Sequence, residues 1–255
     1  MYLTTLNCLR FLNDREIVQG PKIHQDFTMV AIIPAVTALA HILFLLYIYP
    51  SPSAWQPLYT SLPTYPNVTF DLIINPASGP GSATYPDANY NAAISKLHTY
   101  PNANLLGYAH TTPATRNLTD VERDVKQYAN WAKYTASNIK MHGIFFNEAP
   151  SAYSTKAYTY CTCQVLLHMR DLSTYIIAFE DYASAFTSTS ITQISSQYRK
   201  QAVFILHDLN VTMMNQASVV KKFEGYGVGG VFVSTVEYGG FSGLWGQFVK
   251  SMAGG

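Results

Sequence analysis

The sequence feature that most constrains the fold is a regular alternation of short apolar runs with longer amphipathic stretches, from Leu45 to the end of the chain. A short apolar run bounded by turn residues predicts a buried strand, and strands that alternate with helices predict a parallel sheet. The predicted strands begin roughly 25 to 40 residues apart, as βα units require. They are Leu45–Tyr49, Thr69–Ile74, Leu105–Tyr108, Gly143–Phe146, Tyr175–Phe179, Ala202–Leu206 and Gly230–Val233.

Five helices are predicted, four between these strands and one after the last, and Asp120 is the predicted N-cap of the second. With seven strands the pattern is one unit short of a TIM-type (β/α)8 barrel. The predicted fold class is therefore α/β, a single barrel domain over 41–255 that is incomplete by one unit. The predicted helices are Tyr90–His98, Asp120–Tyr134, Thr192–Lys200, Asn215–Glu224 and Phe241–Met252.

Acidic and amide side chains follow two of the predicted strands. Asn147 and Glu148 come directly after one, and Glu180 and Asp181 come after the next. Ligands of parallel α/β folds bind at the carboxyl ends of the strands, and two carboxylates there form the pair that glycoside hydrolysis uses. The alternative is that these residues only cap the helices that follow.

Composition excludes several classes of protein. The formal net charge is +1 without a basic cluster, so no nucleic-acid partner is expected. The 19 tyrosines suit stacking on sugar rings as well as core packing. Cys161 and Cys163 have no companion pair, so no metal is predicted, and no cofactor is expected.

Two glycine-rich stretches, 75–82 and 225–230, lack the context of phosphate-binding loops, and the second is predicted to be a structural turn.

The N-terminal segment, residues 1–40, differs from the rest of the chain. Residues 29–49 are apolar over a length that could cross a bilayer. A signal peptide cleaved after Ala38-Leu39-Ala40 is the favoured alternative, and a first strand from Leu45 is compatible with it. Three sequons, which begin at Asn67, Asn117 and Asn210, also favour secretion. We therefore predict a secreted, monomeric glycoprotein, with a membrane anchor through 29–49 as the alternative.

Six stretches together resemble the spherulin-4 family of glycoside hydrolases from fungi and slime moulds. The resemblance implies a TIM-type barrel and endo-acting hydrolysis of fungal wall or biofilm polysaccharide that contains α-1,4-linked galactosamine or N-acetylgalactosamine. The stretches are LYIYPSPSAW (Leu46–Trp55), IINPASGPG (Ile73–Gly81), LLGYAHT (Leu105–Thr111), GIFFNEAP (Gly143–Pro150), IIAFEDYA (Ile176–Ala183) and GVGGVFVST (Gly227–Thr235).

The chain departs from the family pattern in two places. The family has Asp-Glu where this chain has Asn147-Glu148, and an amide cannot carry the charge of a nucleophile or base. The family also has a further strand within the interval 153–171, where this sequence shows none. The resemblance assigns the catalytic acid to Glu180 and a second acid to Glu148. An impaired carbohydrate-binding pseudoenzyme and a structural spherulation or wall protein are the alternative functions.

Six further residues lie at or just past strand ends and are predicted to line the substrate groove. Tyr47 and Tyr49 are predicted to share a face, because side chains alternate along a strand. For each residue, packing or helix capping is the alternative role. The six are Tyr47, Tyr49, Asn75, Tyr108, His207 and Glu237.

Overall fold

A computed structural model describes residues 6–11, 41–112, 115–149, 175–211 and 215–254. Seven strands run parallel to one another, in agreement with the predicted number, and helices cover the sheet. The parallel strands read as continuous apolar runs because both of their faces are buried. They are β2 (His41–Leu46), β3 (Thr69–Ile74), β4 (Ala103–His110), β5 (Gly143–Ala149), β6 (Tyr175–Tyr182), β7 (Ala202–His207) and β8 (Gly230–Val233).

An eighth strand, β1 (Leu6–Phe11), closes the sheet into a barrel with the order β1-β5-β4-β3-β2-β8-β7-β6. It lies between β5 and β6 and is antiparallel to both. The barrel thus contains seven parallel strands and one reversed strand, whereas a complete (β/α)8 barrel has eight parallel strands. The unit predicted to be lost around 153–171 falls outside the described residues.

The N-terminal boundary predicted at 41 therefore omits a strand that belongs to the sheet. The first parallel strand also begins at His41, four residues earlier than predicted, and ends at Leu46 before Tyr47 and Tyr49. Residues 41–46 of the predicted membrane anchor form a strand of the barrel, and residues 29–40 lie outside the described residues. Among the described residues, no helix is long and apolar enough to cross a bilayer. The predicted signal peptide lies mostly outside the described residues.

Helices cover the outer face of the sheet. Asn117, not Asp120, is the N-cap of the helix Leu118–Trp131 (α3): its side chain accepts from the backbone N–H of Thr119 at 3.0 Å, and the helix starts two residues earlier than predicted. The predicted helix 192–200 is wrong, because a short helix and a 3₁₀ turn (Ser196–Gln201) occupy this region. The helices are α1 (Gln56–Thr64), α2 (Ala88–Leu97), α3 (Leu118–Trp131), α4 (Ser188–Thr192), α5 (Gln216–Tyr226) and α6 (Trp245–Met252).

The glycine-rich turn 225–230 is structural, as predicted. Gly227 caps the end of α5 with a φ of 67°, a left-handed conformation that glycine adopts without steric cost. Its amide donates to the carbonyl of Glu224 at 3.0 Å. The turn then leads directly into β8.

We expect Gly107→Ala to destabilise the fold, because a Cβ there would lie 2.6 Å from the Tyr128 ring. Overpacking of this kind costs about 2 kcal/mol. Urea denaturation will measure the change in the free energy of unfolding. Gly246→Ala in α6 is the control, because its Cβ would meet no atom within 4 Å. Equal stability of the two variants would contradict the packing described for β4.

Candidate carbohydrate site

Three tyrosines meet over the carboxyl end of the barrel. Tyr47, just past β2, contacts Tyr108 of β4 edge-to-face at a ring-centroid distance of 5.6 Å. On its other side it contacts Tyr238, which follows β8, at 5.8 Å. Tyr47 and Tyr108 were predicted to line the groove, and the fold brings them together. Tyr238 was not predicted, although its neighbour Glu237 was.

Glu180 of β6 is tied to this tyrosine cluster. The hydroxyl of Tyr238 donates a hydrogen bond to its Oε1 at 2.7 Å. Burial, with the Glu180 charge next in importance, raises the pKa of Tyr238 far above its ordinary value. Tyr238 is therefore a permanent donor at neutral pH and orients the Glu180 carboxyl group. The pKa of Tyr47 is raised as well. Burial is the largest cause, and the charges of Tyr108 and Glu180 follow.

Asn147 and Glu148 lie at the end of β5, which β1 separates from the Glu180 strand, β6. The Asn147 side chain hydrogen-bonds Tyr108, and the charges of both Glu148 and Glu180 act on the Tyr108 hydroxyl. Tyr47, which contacts both Tyr108 and Tyr238, links the end of β5 to the tyrosine that holds Glu180. These residues can present acidic, amide and phenolic groups to one polar ligand.

The backbone at Glu148 has a φ of 56°, which is uncommon for a residue with a side chain. Buried Thr111 stabilises this conformation, because its one hydroxyl proton is shared between the carbonyls of Asn147 and Glu148, which lie 2.8 Å and 2.7 Å from Oγ1. Strained backbone of this kind persists where the surroundings fix it, and it is frequent at ligand sites. The conformation places the Glu148 carboxylate beside His110, whose Nε2 is 2.9 Å from Oε2.

His110 is held in turn by a supporting ion pair. Arg116 donates through Nη1 to the His110 carbonyl at 3.0 Å and to Asp124 Oδ2 at 2.6 Å. Asp124 is buried in α3. The pair therefore couples the end of β4 to the helix behind it. Neither His110 nor Arg116 was predicted, but the two-residue spacing of Tyr108 and His110 puts both on one face of β4.

His207 lies at the other end of the tyrosine cluster. Its ring is 5.8 Å from Tyr238 and 4.8 Å from Tyr182, a tyrosine 52% exposed to solvent. Within the described chain, His207, Asp208 and Glu237 place possible ligand atoms within 4.8 Å of one another. His207 Nδ1 already pairs with Asp208 Oδ2 at 2.7 Å, and both acids are exposed. This arrangement alone does not indicate a metal, and the expectation of a metal-free site stays a prediction.

Two predicted groove residues lie outside this cluster. Tyr49 turns away from Tyr47 because β2 ends at Leu46, so the alternation of an extended strand does not continue. Tyr49 instead contacts Tyr90 of α2 at 5.6 Å. The side chain of Asn75 accepts from the amide of Gly79 at 3.0 Å and so shapes its own loop. Its predicted contact with substrate stays a prediction.

The buried tyrosines predict a loss of stability in alkali. Burial, as the largest cause, raises the pKa of Tyr59, Tyr90 and Tyr108 to about 12. From about pH 10, where an unperturbed tyrosine ionises, the unfolded chain loses protons that the folded chain keeps. We therefore expect the free energy of unfolding to fall as the pH rises from about 10 to about 12. Urea titrations across this range, with tyrosinate absorbance recorded in parallel, will measure it; constant stability would contradict the burial of these phenols.

Comparison with known proteins tests the resemblance of this chain to the spherulin-4 family. Residues 41–165 match the family model "Spherulation-specific family 4". The family resemblance is confirmed. Spherulin-4 of Physarum polycephalum is 34% identical over 131 residues, which are 51% of this chain and 35% of that protein. The matched region thus spans about a third of this curated spherulin-4 relative.

A solved structure agrees with the spherulin-4 match. The crystal structure of Aspergillus clavatus Sph3 in complex with GalNAc aligns with a TM-score of 0.76 and 29% identity. The alignment covers 86% of this chain and 99% of the Sph3 chain. The α/β fold of this chain is therefore similar to that of Sph3 over most of its length, and the similarity extends well beyond residues 41–165.

Proposed function

We propose that this chain is a secreted, glycoside hydrolase-like protein whose rim of tyrosines and carboxylates binds polysaccharide with α-1,4-linked N-acetylgalactosamine or galactosamine. The observation that carries the proposal is the tyrosine cluster, in which Tyr47 contacts both Tyr108 and Tyr238 and Tyr238 donates to Glu180, on a fold similar to a protein crystallised with GalNAc. Aromatic faces pack on the apolar side of a sugar ring, and the carboxylates and Asn147 bind its polar groups.

Hydrolysis at this site would need one group that donates a proton and one that accepts it. Glu180, when protonated, would give its proton to the glycosidic oxygen as the bond to the anomeric carbon breaks. Water would add to that carbon, and a carboxylate would take the proton that the water releases. Asn147 cannot take that proton. We therefore propose that binding is the main activity and that hydrolysis is weak.

Affinity electrophoresis in gels that contain the polysaccharide tests the proposal. We expect a polymer of α-1,4-linked N-acetylgalactosamine to retard the protein and chitin to retard it much less. Tyr47→Ala should reduce retardation about tenfold or more through the loss of an aromatic contact. Migration that is the same with both polymers would overturn the proposed specificity.

Secretion is also proposed, and it is supported by the position of the sequons. The asparagines at 67, 117 and 210 are all exposed, so an oligosaccharide would meet no packed surface. We expect the protein to appear in the medium of a fungal host and to shift to a lower mass after endoglycosidase treatment. A cytosolic protein without this shift would contradict the prediction.

A further inference from the structure

The ring contacts of the tyrosine cluster continue along the rim to the end of β6. Tyr47 contacts Tyr238 at a centroid distance of 5.8 Å, Tyr238 contacts His207 at 5.8 Å, and His207 contacts Tyr182 at 4.8 Å. Tyr182 and His207 are also partners across the neighbouring strands β6 and β7. An unbroken series of ring contacts therefore joins Tyr47, at the centre of the cluster, to Tyr182, which is half exposed to solvent.

Exposed apolar side chains concentrate on this side of the rim. Of the five exposed large hydrophobic side chains in the described part of the chain, three lie at or just past the ends of β6, β7 and β8, namely Tyr182, Val211 and Val236. These strands are neighbours in the barrel. The loops after β7 and β8 are joined, because the amide of Leu209 donates to the carbonyl of Ser234 at 2.9 Å. Exposed apolar side chains that gather beside a polar site are typical of a surface that packs against a ligand.

The charges beside Tyr182 are negative. Asp208 and Glu237 are exposed, and each places a carboxylate oxygen within 4.8 Å of the other. Two carboxylates at this separation repel each other, and a cation between them relieves the repulsion. Asp208 pairs with Nδ1 of His207 at 2.7 Å, but a carboxylate can accept further hydrogen bonds. This surface therefore suits a ligand that carries a positive charge next to an apolar face.

A protonated galactosamine unit has both of these properties. Its ammonium group can pair with the two carboxylates, and the apolar face of its ring can pack on the Tyr182 ring. An N-acetylated unit has the same ring face but no charge. The negative surface thus distinguishes the two kinds of unit that the proposed polysaccharide can contain.

We propose that Tyr182, His207, Asp208 and Glu237 form an outer subsite, the Tyr182 subsite, that binds a protonated galactosamine unit of the polysaccharide strand held by the tyrosine cluster. This inference rests on the proposed function and deepens it: the protein prefers a strand in which some units lack the acetyl group. Asp208 and Glu237 pair with the ammonium group, and His207 connects the subsite to Tyr238.

Calorimetric titration with two α-1,4-linked oligosaccharides of equal length tests the inference, one fully N-acetylated and the other partly deacetylated. We expect the wild type to bind the deacetylated one about tenfold more tightly, and the double variant Asp208→Asn, Glu237→Gln to show no preference. Asparagine tolerates the backbone φ of 51° at position 208, so the double variant should fold. The preference of the wild type should also decrease at high salt, because added ions screen exposed charges.

Tyr182→Ala should weaken binding of the deacetylated oligosaccharide about tenfold, and Tyr182→Phe, which keeps the ring, should have a smaller effect. Tyr198→Ala is the matched control, because it removes another exposed tyrosine, in the 3₁₀ turn before β7 at the opposite end of the barrel. Glu122→Gln, which neutralises an acid on α3, is the control for charge. Both controls should leave both affinities unchanged.

A wild type without preference for the deacetylated oligosaccharide, or a preference that survives in the double variant, would overturn the Tyr182 subsite. Binding of the acetylated oligosaccharide in either case would leave the central site standing. If the wild type binds neither oligosaccharide, the proposed function itself is wrong.

Discussion

Replacement of Asn147 by Asp should raise the rate of polysaccharide hydrolysis by about a hundredfold or more, since a positioned acid or base commonly contributes that much. The change introduces a carboxylate at the end of β5, next to Glu148. Binding should change little, because an amide and a carboxylate of the same size make similar contacts with a sugar. Release of reducing ends from the polymer will measure the rate.

The double variant Asn147→Asp, Glu180→Gln is the control for this prediction. It should lose whatever the single change gains, because the proposed proton donor, Glu180, is replaced by an amide that cannot donate a proton to the glycosidic oxygen. Robust hydrolysis by the wild type that survives Glu180→Gln would show that other carboxylates act. An unchanged rate in Asn147→Asp would place the defect in the geometry of the site, where an error of about 1 Å already slows reaction strongly.

Removal of residues 1–11 should destabilise the barrel by about 5 kcal/mol or more. The deletion takes away β1, whose residues pair with five positions of β5 and three of β6. Each lost backbone hydrogen bond costs about 1 kcal/mol, and two strand edges lose their partner. Because β5 and β6 carry Glu148 and Glu180, carbohydrate affinity should fall as well. Urea denaturation and GalNAc titration will measure the two effects.

Removal of residues 1–5 alone is the matched control, since it leaves β1 intact. A synthetic peptide that spans 6–11 should restore part of the stability of the shortened chain. If both deletions leave the free energy of unfolding unchanged, β1 does not support the barrel.

This prediction bears on secretion, because cleavage after Ala40 would separate β1 from the remaining strands. N-terminal sequencing of the secreted protein, with a search for a bound fragment, will determine whether β1 stays.

The parallel strands could be predicted from sequence because each is a short apolar run with turn residues at its ends. Gly143–Phe146 and Gly230–Val233 are buried on both faces, so their apolar character is continuous and unambiguous. β1 could not be predicted, because its partners lie more than 130 residues away and LNCLRF has no clear pattern. Helix α1 was missed because prolines at 57 and 63 obscure its periodicity.

The residues at the rim of the candidate site could be predicted from the sequence, but the hydrogen bonds that join them could not. Parallel strands bring Tyr108, Glu148, Glu180 and His207 to one rim, so their proximity follows from topology. The roles of Tyr238 and Thr111 depend on hydrogen bonds to residues 58 and 36 positions away, and no local pattern encodes them. The separation of Tyr49 from Tyr47 depends on where β2 ends, and strand boundaries are set by tertiary contacts.

Titration of isotopically labelled protein with GalNAc, followed by NMR, tests the central claim most directly. We predict that the largest chemical-shift changes occur at the rim, at Tyr47, Tyr108, Glu180 and Tyr238. Tyr238→Phe, which removes the hydroxyl that orients Glu180, should weaken binding about tenfold, because the Glu180 carboxyl group would no longer be held in one orientation for the ligand. Shifts confined to another part of the barrel, or an affinity unchanged in Tyr238→Phe, would contradict the carbohydrate site described here.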